Sequence, residues 1–257
     1  MKREWRHEVS ETWLRTRKLY LTASDIKSLV KEHDRISSGK VKLSQSKIFA
    51  KLYGEKQSNE IDTESYGAMA RGHILEPYAI EDYKMLASHH GMKQDIYWWD
   101  DKIICRDGVG FSPDGLDIQQ LPGTRIICEG DELAYKDGRI DGPKRIIEVK
   151  CYEGGKHFQK KIADKDDLEE RWQIACAMWV CPTIISGTLL FYAPQCGDMF
   201  WDFWWRSELK DEIDMVYDIH NMWIEFCKSM EGITSTNTMY TEDDIYNRYL
   251  LDEMGRS

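Results

Sequence analysis

The 257-residue sequence has only six prolines and no Gly/Ser-rich or Pro-rich run, so nothing in it reads as an interdomain linker, and no internal repeat is present. It lacks an apolar run of the roughly 18 residues that a membrane span needs. Its best stretch, Thr183 to Ala193, is short and interrupted by Ser, Gly and Thr. The opening MKREWRHEVSE is charged and has no secretory apolar segment. A soluble, cytoplasmic protein with no membrane partner is expected. Seven cysteines are scattered without a C-x-x-C spacing, which argues against a disulfide framework or a zinc knuckle and for reduced, mostly buried thiols. There is no G-x-x-x-x-G-K-[ST] loop, no third glycine after Gly108-x-Gly110 and no H-E-x-x-H. ATP-driven and NAD-dependent activities lose their usual signatures. The four clustered cysteines that an iron-sulfur site needs are missing as well.

Positive charge is also scarce: 35 Lys and Arg face 45 Asp and Glu, a net charge of -10. A surface coated in positive charge for unspecific nucleic-acid binding is not what this balance describes. The deficit is uneven. The first 60 residues hold fourteen Lys/Arg against eight Asp/Glu, a net of +6, and the other 197 hold twenty-one against thirty-seven, a net of -16. A polyanion would meet a local patch. What the chain does have is apolar and aromatic material, 42% hydrophobic residues with ten Trp and thirteen Tyr, enough to fold and to bury a sizeable core.

Periodicity places the elements. Thr12 to Val30 reads as a turn and then a helix, with Thr22 and Asp25 at capping-box spacing ahead of the apolar Ile26, Leu29 and Val30. Ser37 to Lys47 reads as a basic polar loop. From Thr63 to His90, Tyr66, Met69, Ala70, Ile74, Tyr78 and Leu86 recur at helical spacing, and Pro77 predicts a kink or a restart near Glu76, so a long helix or two in series is expected. Short runs between Ile96 and Ile118 predict consecutive strands, and strands continue to Tyr152. After Asp166, Leu168, Trp172, Ala175 and Trp179 define one helix face that ends before Pro182. Ile184 to Tyr192 and Met199 to Trp205 read as strands, Glu208 to Met230 as a closing helix, and residues 233–257 as a polar, acidic tail. Trp172 and Trp179 read as core, and the cluster at Trp201, Trp204 and Trp205 as core packing with a subunit interface as the alternative. The order gives an α/β fold with a mixed central sheet flanked by helices.

Two segments carry chemistry. In RIIEVKCY, Arg145 to Tyr152, strand alternation puts Ile147, Val149 and Cys151 on one face and Glu148 and Lys150 together on the other. Taken alone this is an ordinary surface ion pair. In FSPDGL, Phe111 to Leu116, Pro, Asp and Gly occupy turn positions, and Asp114 alone is a turn residue. Together they are more. Asp114 after one strand and Glu148 on a later strand can converge on a hard divalent cation, with the Val149 carbonyl and waters completing an oxygen shell of the kind Mg²⁺ prefers. Lys150 beside them can orient or deprotonate a water, or neutralise charge on a phosphate. Further along, Lys156, Lys160, Lys161 and Lys165 offer either a track for a phosphate backbone or a solvated helix face.

SPDG followed by IEVKC resembles the PD-(D/E)xK nuclease core, and the neighbouring motifs resemble its phage lambda exonuclease and YqaJ-type viral recombinase branch. The motifs run in order: Trp13-x-x-x-Arg17, Thr22-Ala23-Ser24, Arg71-Gly72-x-x-x-Glu76-Pro77-x-Ala79, SPDGL, EVKC, and Gln173 in RWQIACAMWV. The resemblance implies a restriction-endonuclease-like core in a single nuclease domain over residues 1–232, with a 5′-phosphate-binding region at about 10–35 and a catalytic core at about 63–195. It implies that Asp114, Glu148, the Val149 carbonyl and Glu76 hold Mg²⁺, in one or two ions that Mn²⁺ can replace. Lys150 and Gln173 then join them in catalysis, while Arg17, Ser24 and Thr22 hold a 5′-phosphate. The helix N-terminus at Ser24 and the guanidinium fork of Arg17 suit that anion, although Thr22 and Ser24 also suit simple capping. A ring of three subunits, double-stranded DNA ends as substrate, a single-strand annealing protein as partner and a phage or prophage setting in bacterial cytoplasm are further implications. The stretch between Asp114 and Glu148 is longer than in the lambda-type enzyme and contains Gly123, Asp137-Gly138 and Asp141-Gly142, so an extra hairpin or protruding loop is expected.

Three functions compete: a 5′-to-3′ exonuclease on linear duplex DNA, an endonuclease of restriction or repair type, and a non-catalytic DNA-end scaffold. The basic N-terminal segment favours end recognition, and the intact Asp114, Glu148 and Lys150 favour catalysis.

Overall fold

A computed structural model describes residues 11–58, 66–90, 95–98, 103–117, 135–136, 139–140, 144–163 and 169–231. Several expected features lie outside the described residues: Cys128, Lys165, Leu168, Gly123, Asp137-Gly138, Asp141-Gly142 and the 233–257 tail. The side chains of Trp13, Tyr66, Met69, Ala70 and Arg71 lie outside them too.

The chain opens with α1 (Glu11–Lys18), β1 (Leu21–Thr22) and α2 (Ala23–Ser37), then α3 (Lys47–Gln57) and α4 (Tyr66–His89). Short strands follow: β2 (Tyr97–Trp98), β3 (Ile104–Arg106), β4 (Val109–Phe111) and β5 (Gly115–Leu116), then β6 (Tyr135–Lys136) and β7 (Arg139–Ile140). The last part comprises β8 (Arg145–Lys150), α5 (Gly154–Ile162), α6 (Arg171–Val180), β9 (Ser186–Ala193), β10 (Asp198–Trp205) and α7 (Lys210–Glu231). The principal sheet has the order β10-β9-β8-β5-β2, with β8 and β9 parallel and the other pairs antiparallel. It is the expected mixed sheet. A smaller sheet, β1-β4-β3, sets β1 parallel to β4, with Leu21 beside Val109 and Thr22 beside Gly110. The insert between Asp114 and Glu148 contributes a separate two-stranded hairpin, β6 with β7.

Strand alternation sorts β8 between two layers. Ile147 and Val149 pack with Ala79, Ile80 and Tyr83 of α4, while Ile146 joins the larger cluster built around α2, α6 and α7. Close approach of α6 depends on Gly187 in β9, because a Cβ there would meet Ile174 Cγ2 at 2.3 Å. Burial of β9 is complete on both faces, as expected for an inner strand flanked by helices.

Of the one long helix or two in series expected around Pro77, the structure has the one: α4 runs through the proline, and Ala79, Ile80, Tyr83 and Ala87 continue beyond it into the core. Two other readings change. The Ser37 to Lys47 loop ends in a 3₁₀ turn, Leu43–Gln45, and leads directly into α3, where Ser46 caps the helix and the rings of Phe49 and Tyr53 meet Phe226 of α7, the first tilted and the second edge-on. Its polar composition hid a helix start. On α6 the buried surface is broader than the expected stripe: Ile174 to Met178 are all buried, whereas Trp172 is only half-buried, under Arg171. Trp179 and Trp204 do pack against the core and Trp201 against Tyr83, but Trp205 is 51% exposed.

Candidate active site

The register of the principal sheet explains why the two motifs meet. Gly115 lies opposite Ile147 and Leu116 opposite Ile146, so the next position brings Asp114 level with Glu148. Asp114 Oδ2 accepts a hydrogen bond from the Val149 backbone N–H at 2.6 Å, which locks the turn to the strand. Gly115 is needed for packing rather than for turn freedom, since a Cβ there would press on Ile80 and Ile96 at 3.1 Å each. Glu148 and Lys150 share a face of β8, as alternation requires, and Lys150 Nζ donates to Glu148 Oε1 at 2.6 Å.

Glu76 enters from α4. Helical side chains lean towards the N-terminus, so its carboxylate lies back over residue 72, and a Cβ on Gly72 would approach Glu76 Oε1 to 3.2 Å. The Gly-x-x-x-Glu spacing thereby acquires a steric reason. On the other side, the parallel pairing of β1 with β4 carries the start of α2 to the turn that bears Asp114. Arg17 Nη2 donates to Ser24 Oγ at 3.1 Å, and Gln173 Nε2 of α6 donates to the same oxygen at 3.4 Å. All of these residues line one cavity of about 190 Å³: Arg17, Thr22, Ser24, Glu76, Asp114, Glu148, Val149, Lys150 and Gln173.

Charge in this cavity is unbalanced. Burial pushes the Asp114 carboxyl well above its ordinary value, and the nearby Glu76 and Glu148 push it further, outweighing Lys150 and the Val149 N–H. Burial disfavours charge on Lys150, but Glu148 and Asp114 overcome that and raise its value, so it is an ammonium at neutral pH. Three carboxylates crowding one partly desolvated ammonium form an environment that a divalent cation would relieve. Among the described residues no three such side chains already close into a cage.

Thr22 has a structural task. Its hydroxyl accepts from the Asp25 backbone N–H at 3.3 Å while its own backbone N–H donates to Asp25 Oδ2 at 2.8 Å, the reciprocal pair that makes the capping box of α2, and the hydroxyl also donates to Oδ2 at 2.7 Å. It contributes wall to the cavity. The lysines of α5 are also engaged: Lys160 is buried against Glu170 at 3.2 Å, Lys161 holds Asp198 at 2.8 and 2.9 Å, and Lys156 covers the Tyr152 ring at 4.2 Å. A continuous phosphate track is not what these contacts build.

Sequence reading passed over two features. His73, three residues before Glu76 on the same helix face, lines the cavity with Nδ1 3.4 Å from Glu76 Oε2. Its i, i+3 spacing to Glu76 was the available signal. Glu170, just ahead of α6, is 1% exposed and gathers Lys27, Lys160 and Tyr152; it precedes Gln173 by three residues, but nothing local marks it as buried.

The family model described as a YqaJ-like viral recombinase domain matches residues 12–187. Among solved structures, the alkaline exonuclease LHK-Exo from Laribacter hongkongensis is similar in fold, with a TM-score of 0.52 at 20% identity, covering 87% of this chain and 98% of that one. The same enzyme in complex with dAMP gives 0.51 at 21% identity over the same shares. No curated protein matches the sequence.

Proposed function

This chain belongs to the YqaJ-like viral recombinase family, and on that premise we propose that it is a metal-dependent exonuclease that digests linear duplex DNA 5′ to 3′ and leaves 3′ overhangs for phage-type recombination. The observation that carries this reading is the single cavity in which the Arg17–Ser24–Gln173 cluster adjoins Asp114, Glu148 and Lys150. A terminal phosphate held at the helix N-terminus by Ser24 and the fork of Arg17 would present the next phosphodiester to the carboxylates.

Asp114, Glu148, Glu76 and the Val149 carbonyl are the residues that would hold Mg²⁺, or Mn²⁺ in its place. The ion supplies charge neutralisation and an acidified water for in-line displacement at phosphorus. Asp114 is fixed by the Val149 N–H, so its carboxylate needs no reorganisation on binding. Lys150, kept protonated by its two carboxylate neighbours, donates rather than accepts: it orients the attacking water and offsets charge on the non-bridging oxygens. Gln173 couples the phosphate grip to the reacting centre through Ser24. Capture of a relative of the same fold with dAMP fits a mononucleotide product.

The substrate would be duplex ends in bacterial cytoplasm, the assembly a homotrimeric ring, and the partner a single-strand annealing protein that receives the overhang. A test uses a 5′-phosphorylated linear duplex labelled at either end and a closed circle, with and without Mg²⁺. The expected result is early release of the 5′ label, metal dependence, an untouched circle and a trimer by light scattering. Rapid loss of the circle would favour an endonuclease. Early release of the 3′ label would reverse the polarity.

A further inference from the structure

Glu170 lies outside the cavity but is tied to α2, to Tyr152 just past β8, to α5 and to the first turn of α6. Its carboxylate is 2% exposed and accepts from three donors: Lys27 Nζ of α2 at 3.4 Å, Tyr152 OH just past β8 at 2.9 Å and Lys160 Nζ of α5 at 3.2 Å. The Glu170 carbonyl accepts from the Gln173 N–H at 2.9 Å, so the same residue starts the turn that carries Gln173. Lys27 lies three residues after Ser24 on α2, and Gln173 three after Glu170. The Lys27–Glu170 pair is thus one rung of a ladder whose next rung is the Gln173–Ser24 contact at 3.4 Å. The two rungs are equally long, but Glu170 is buried and held by two lysines and a hydroxyl, whereas Gln173 meets Ser24 through one neutral hydrogen bond.

We propose that Glu170 is a positioning residue that, through Lys27, sets the spacing between α2 and α6 and so keeps Ser24 and Gln173 in register as a grip for the 5′-phosphate. The inference rests on the exonuclease reading and adds a determinant of end preference. Glu170→Gln retains the shape and the Tyr152 hydrogen bond but removes the attraction to both lysines. Lys27→Met cuts the α2 arm alone, at a side chain 28% exposed, where folding is less at stake.

The experiment compares 5′-phosphate with 5′-hydroxyl duplexes in Mg²⁺, and binding of both in Ca²⁺, with melting temperature recorded for each variant. The expected outcome is that Glu170→Gln and Lys27→Met each lower the phosphate preference about tenfold through KM, with kcat within about twofold. Lys27→Arg restores the preference, and Glu170→Gln adds nothing further in a Ser24→Ala background. The inference is overturned if preference is unchanged, if both substrates weaken equally in step with melting temperature, or if the Glu170→Gln effect persists in full without Ser24. A wild type that digests both ends equally would overturn the phosphate grip and this inference together. A wild type with no metal-dependent hydrolysis would instead defeat the nuclease reading.

Discussion

Two carboxylates in this molecule, the half-buried Asp114 and the buried Glu170, stand in opposite electrostatic states. At Asp114 burial and the charges of Glu76 and Glu148 drive the carboxyl upward, and one lysine and one N–H do not compensate. At Glu170 burial also acts upward, but Lys27, the residue's own backbone, Tyr152 and Lys160 outweigh it and hold the group down at about 2. The first arrangement leaves the carboxyl short of positive neighbours, the imbalance that the proposed cation would relieve. The second is already satisfied and serves as an anchor. Burial alone therefore does not identify a functional carboxylate; the balance of its neighbours does.

The comparison is tested most severely at the unbalanced cluster. Lys150→Ala should lower nucleotide release by about a thousandfold or more at saturating Mg²⁺, since it removes the one ammonium paired to Glu148. Retention of near-wild-type turnover would remove Lys150 from the chemistry. Next in size is the anchor: Glu170→Leu removes the carboxylate that the buried Lys160 meets at 3.2 Å and should cost about 3 kcal/mol in urea unfolding.

pH should separate the two carboxylates by sign. Glu170 is depressed from 4.5 to about 2, so the unfolded chain binds its proton first; the stability it contributes is present above about 4.5 and is lost as pH falls towards 2. Asp114 is raised, so the native state binds the extra proton, and its contribution declines as pH rises through its elevated value. Melting temperature against pH in EDTA should show an acid-side loss that is blunted in Glu170→Gln. The decline on the other side should be absent in Asp114→Asn.

A smaller effect follows from the same imbalance. Asp114→Asn keeps an oxygen for the Val149 N–H but removes a crowded charge, and should raise the metal-free melting temperature by about 2–4 °C, on the order of 1 kcal/mol, while abolishing activity. Mg²⁺ should then stabilise the wild type and not this variant. The smallest effect belongs to the rim: Lys31 and Glu169 form a 3.1 Å pair with side chains 85% and 47% exposed, and Lys31→Ala should shift stability by less than about 0.5 kcal/mol. A larger shift would mean that the anchor extends to the surface.

How much of this was legible in the chain varied by element. The strand alternation of RIIEVK separated Glu148 and Lys150 from the core, because period-2 geometry needs no tertiary information. The capping box at Thr22 and Asp25 was equally local. By contrast α3 was missed because its start lies in a polar run, and continuity of α4 through Pro77 reflects the packing of residues on either side of the proline. The lysines after β8 could not be assigned from spacing, since their partners Glu170 and Asp198 are distant in sequence.

By itself the sequence determined which residue types alternate, cap and recur, and therefore the α/β class and the motif set, because these depend on backbone geometry within a few residues. Only the tertiary structure decided that Asp114 faces Glu148, that Gln173 reaches Ser24 across 149 positions and that Glu170 is a saturated anchor. Strand register and helix docking bring those groups together, and the resulting balance of desolvation and charge is a property of neighbours that no local window contains.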